Sequence, residues 1–68
     1  MQQHVKLEVA LEVIVRKIAD VMNQLKQEEN QETIQKLEKE LQELMKLKEE
    51  AYQGNWQAVN KILEKGQA

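Results

Sequence analysis

A chain of 68 residues with a formal net charge of −2, from ten Lys and Arg against twelve Asp and Glu, makes one domain. A domain of this size buries only about 60% of the surface its unfolded form exposes, so it needs added support. There is no Cys, Phe or Pro and only two Gly, which excludes disulfides and thiolate metal sites, argues against a sandwich or barrel, and leaves association with another chain as the remaining support.

The first apolar segment runs from His4 to Leu25. His4, Leu7, Leu11, Ile14, Ile18, Val21 and Leu25 alternate spacings of three and four, the heptad stripe of a helix that packs lengthwise on another helix. Ala10, Val15 and Met22 widen that stripe to roughly a third of the circumference, so helix 1, about residues 4–27, is expected to have more than one neighbour. Behind it Val5, Val9 and Val13 form a second apolar line, which turns polar further on with Arg16, Lys17, Asp20 and Lys26. The odd positions from Val5 to Val15 also alternate as a strand would, with Lys6, Glu8 and Glu12 between them, and a dimeric ribbon would read the same way. Ala10 and Ile14 break the alternation while the heptad phase continues to Leu25, so the expectation is helix.

Residues 26–33 contain no apolar side chain, and the next stripe, Ile34, Leu37, Leu41, Leu44 and Ala51, is out of phase with the first by two residues. One straight helix would point its halves about 200° apart, so a turn is predicted near Glu28 to Gln31. Asn30 either ends helix 1 in the left-handed region or caps helix 2, and Glu32 suits the first turn of that second helix. Helix 2, about residues 31–53, is predicted to turn Ile34, Leu37, Leu41, Leu44, Met45, Leu47, Ala51 and Tyr52 inward. Gly54 stops it and Asn55 caps helix 3, about residues 56–65, with Trp56, Val59, Ile62 and Leu63 inward and Gly66 at its end.

The string from Ala51 through Gly54-Asn55 to Val59, Ile62-Leu63 and Gly66 resembles the helix-turn-helix half of an ankyrin repeat. The resemblance covers 16 residues, lacks the Thr-Pro-Leu-His opening and has no second copy, so what it implies is turn chemistry and no more. A hairpin that pairs Leu25 with Ile34 brings the end of helix 2 beside the start of helix 1. Helix 3, folding back, then runs along residues 5 to 15, where either it or a second chain covers the valine line.

Chemistry finds little material here. One His, one Asp, one Thr, one Tyr and no Ser or Cys are too few for a nucleophile, base and orienting group, so no enzyme is expected. His4 reads as a terminal residue rather than a ligand, no Glu-x-x-His pair offers a bundle metal site, and no cofactor or metal is expected. Arg16 and Asp20 read as an ordinary surface pair. Tyr52 and Trp56 bracket the Gly54 turn, where aromatics either plug the end of a small bundle or anchor a partner. The chain lacks an apolar run long enough for a bilayer and a basic, apolar leader, so it is read as a soluble cytoplasmic protein without a membrane partner.

The sequence thus predicts an all-α fold, an antiparallel helical hairpin with a short third helix folding back, assembled as a dimeric helical bundle. The expected role is a non-catalytic interaction or structural module that self-associates, with another protein as a second expected partner and Val5, Val9, Val13, Tyr52 and Trp56 as candidate interface. Interspersed charge makes a poor nucleic-acid surface; the alternative reading is nevertheless a small dimeric regulator or nucleic-acid-binding accessory protein with an N-terminal ribbon.

Overall fold

In the computed structural model, which describes the backbone of residues 3–67 and the side chains of residues 5–66, three helices pack on one another: α1 (Gln3–Gln27), α2 (Gln31–Tyr52) and α3 (Trp56–Gln67). Helix 1 has 25 residues, about 37 Å at 1.5 Å each, and it sets the long dimension of a body measuring 43 × 16 × 16 Å. Residues 5–15 are helical, so the ribbon that their alternation allows is not formed, and no strand occurs among the described residues. The side chain of His4, at the head of the first stripe, lies outside them.

Each of the two short connections carries an Asn whose side chain accepts from the first free backbone N–H groups of the helix that follows. Asn30 caps α2 from an extended conformation (φ −79°, ψ 121°). Its Oδ1 accepts from the backbone N–H of Glu32 at 2.9 Å and of Thr33 at 3.2 Å, satisfying two donors that the first helical turn leaves free. Of its two roles open from sequence, it takes the cap of α2. At the other end of α2, Gly54 adopts φ 90°, donates to the Ala51 carbonyl at 3.0 Å, and lets Asn55 N–H reach the Glu50 carbonyl at 3.0 Å. This is the paired closure of a helix that ends in a left-handed glycine. The Asn55 side chain then accepts from Gln57 N–H at 3.0 Å and Ala58 N–H at 3.3 Å, so one residue finishes α2 and starts α3.

The core draws equally on the helices: Ala10, Ile14 and Val21 from α1, Leu37, Leu44 and Ala51 from α2, and Ala58, Val59 and Ile62 from α3. Three of the nine are alanines, which let the helices approach closely. Leu7, Leu11, Val13, Ile18, Leu25, Leu41, Leu47 and Leu63 pack around that centre. Among the described residues no polar or charged side chain is buried.

Val15, Met22, Met45 and Tyr52, expected inside, are instead about half exposed or more. Trp56, expected inward, is also exposed, whereas Ala58, absent from the expected set, is buried. Helix 3 runs past Gly66 to Gln67 and is not ended by it. A Cβ on Gly66 would stand 2.8 Å from Cγ1 of Val13, so the glycine serves the close approach of α3 to α1.

Candidate interaction surface

Helix 3 covers only one flank of the α1–α2 hairpin, and the helical period shows which. On α1, Val13 and Val15 stand one residue either side of the fully buried Ile14, hence about 100° away from it in opposite directions. Val13 meets Gly66 of α3, so Val15 is on the flank away from α3. On α2 the buried Leu44 is the same kind of marker. Glu43, Lys46, Leu47 and Glu50 border a cleft shared with Lys61 and Lys65 of α3, which leaves Leu41, three residues before Leu44, and Met45, one after, on the opposite flank. Tyr52, seven residues after Met45, continues that line.

The uncovered flank therefore carries Val15 and Met22 from α1 and Met45 and Tyr52 from α2, 48%, 50%, 55% and 64% exposed. Leu11 and Leu41, both half-buried, form its inner edge. Ala19 is exposed on the same side of α1, and a shallow depression there is lined by Leu11, Glu12, Val15, Arg16 and Ala19. A methyl side chain between longer neighbours leaves that hollow.

The interface residues expected from sequence are divided by the fold. Val13 is half-buried and in contact with α3, whereas Val5 and Val9 remain exposed on α1. Helix 3 takes one end of the valine line and leaves the other open. Tyr52 belongs to the uncovered flank. Trp56, 38% exposed at the start of α3, lies across the Gly54 turn from it. Sequence reasoning missed Val15, Met22 and Met45 as surface residues because each continues a helical apolar stripe. Their stripes are simply wider than the neighbours this chain supplies.

Among the described residues no group of three His, Asp or Glu side chains converges as a metal site would require, and no helix is long and apolar enough to cross a membrane. Comparison with protein-family models, with curated proteins and with solved structures finds no match.

Proposed function

We propose that this chain is a small non-catalytic helical module whose work is protein association, in the first place with a second copy of itself. The observation that carries this reading is the uncovered flank. Val15, Met22, Met45 and Tyr52 stand exposed on one side of a core that has nine buried side chains among the described residues. Burying a large apolar side chain is worth roughly 1.5–3 kcal/mol, and a fold this small gains stability by mass action when a second chain covers such a face. A two-fold dimer is the simplest closed arrangement, because both chains then offer the same patch. A cysteine-free chain suits a reducing compartment, and the cytoplasm is the setting proposed for it.

The alternative of a nucleic-acid-binding regulator drew its support from a ribbon over Val5 to Val15. That stretch is helical, which favours association through helix faces. Sedimentation equilibrium at micromolar concentration, with thermal melts at two concentrations, tests it. The expected result is a species of twice the 8.0 kDa chain mass and a midpoint that rises with concentration. A single 8.0 kDa species with a fixed midpoint would overturn it.

A further inference from the structure

We infer that the second copy docks on the flank away from α3, with its α1 antiparallel to the first α1 about a two-fold axis at Ala19. This rests on the self-association proposed above and specifies its geometry. Three features of the α1 surface converge on it. The first is the hollow at Leu11, Glu12, Val15, Arg16 and Ala19. The small, exposed Ala19 at its edge lets a second helix come close, since the interaxial distance of a helix pair is set by the side chains at the contact. The second is the placing of apolar groups. Val15 and Met22, four before and three after Ala19, are both about half exposed, and in the antiparallel arrangement Met22 of each copy reaches the Arg16–Ala19 end of the other copy's hollow.

The third feature is charge, and it fixes the direction. Glu12 and Lys26 stand seven residues before and after Ala19, two turns each, on the same face and both exposed. An antiparallel pair centred on Ala19 puts Glu12 of each copy beside Lys26 of the other, so opposite charges meet two turns to either side of the axis. A parallel pair would put Glu12 beside Glu12 and Lys26 beside Lys26. The same axis crosses α2 at Glu40 and Leu41, since Glu40 is level with Ala19 in a hairpin closed by Leu25 and Ile34, and sets α2 against its own copy with Met45 and Tyr52 on the shared face. Helix 3 stays outside on both copies.

Charge exchange tests the seam without touching the core. Glu12→Lys and Lys26→Glu should each weaken self-association roughly tenfold at low salt, since each puts two like-charged pairs across the interface, and the loss should shrink as salt rises. Mixing the two single variants one to one should restore association, because every cross-seam pair is then opposite in sign, and the double variant should recover it as well. Ala19→Gln, a substitution at an exposed helical position, should abolish the dimer while leaving the far-ultraviolet helical signal of the chain unchanged. A wild-type chain that stays monomeric overturns self-association altogether. A dimer whose affinity ignores the charge exchanges, or mixed variants that associate no better than each alone, overturns this seam and leaves self-association standing.

Discussion

The two glycines do different work, and substitution should separate them. At Gly66 an added methyl gains about 0.5–1 kcal/mol of helix propensity. It would also stand 2.8 Å from Cγ1 of Val13, and crowding of this kind costs typically 1–3 kcal/mol. Gly66→Ala is therefore expected to destabilise by about 1 kcal/mol, and Val13→Ala in the same chain should remove most of that penalty. Urea unfolding of the two single variants and the double variant measures it, and additive effects would mean that α3 does not press on α1 there. Gly54 has open space around it but sits at φ 90°, so its cost on mutation is conformational, about 1–2 kcal/mol. In the core, Ile14 is fully buried, and Ile14→Ala should cost about 2–5 kcal/mol, enough to unfold a domain this small. Lys39, exposed on α2, should lose less than about 0.5 kcal/mol on change to Ala. Equal small effects at Ile14 and Lys39 would show that α1 does not carry the core.

At the level of the helices, Asn55 concentrates more than its size suggests. Its backbone N–H closes α2 on the Glu50 carbonyl, and its side chain caps α3 through Gln57 and Ala58. Asn55→Ala keeps the first function and loses the second, at about 1 kcal/mol. Because α3 is held at one end by this cap and at the other by the Gly66–Val13 approach, the expected effect is local. Amide exchange should quicken across residues 57–66 while α1 and the first half of α2 keep their protection, as local opening of a short element predicts. Uniform acceleration over all three helices would instead show that α3 opens only with the whole fold. Asn30→Ala removes the corresponding bonds to Glu32 and Thr33 and should loosen the first turn of α2 alone.

For the whole molecule, the asymmetry of the bundle matters most. Three helices of 25, 22 and 12 residues cannot enclose a common core along their full length, because α3 at about 18 Å is half as long as α1. It seals one flank of the hairpin near Val13, while on the other flank Val15, Met22, Met45 and Tyr52 face outward. The proposed dimer follows from this shortfall in covering length. It also makes stability concentration-dependent, so Tyr52 and Trp56 offer an optical readout: Tyr52, on the proposed shared face, should become less accessible to solvent as the chain associates, and Trp56, at the start of α3, should change little. Equal changes at both would place the contact at the Gly54 end instead.

Much of this was legible from residue order alone. The heptad spacing through Leu25, the polar gap before Ile34, the phase shift between the two stripes and the Gly54-Asn55 pair predict three helices within a residue or two of where they lie. They do so because backbone period and capping are local properties, set by neighbours within one or two turns. Tertiary structure alone decided which side of each stripe is covered. Val13 and Val15 look equivalent in sequence, yet one packs against α3 and the other is exposed, since that outcome depends on the direction in which α3 leaves the turn. The same holds for Gly66, which reads as a stop signal and acts as a gap for Val13. A stripe states how much apolar surface a helix carries; only the arrangement of the other helices determines how much of it they can reach.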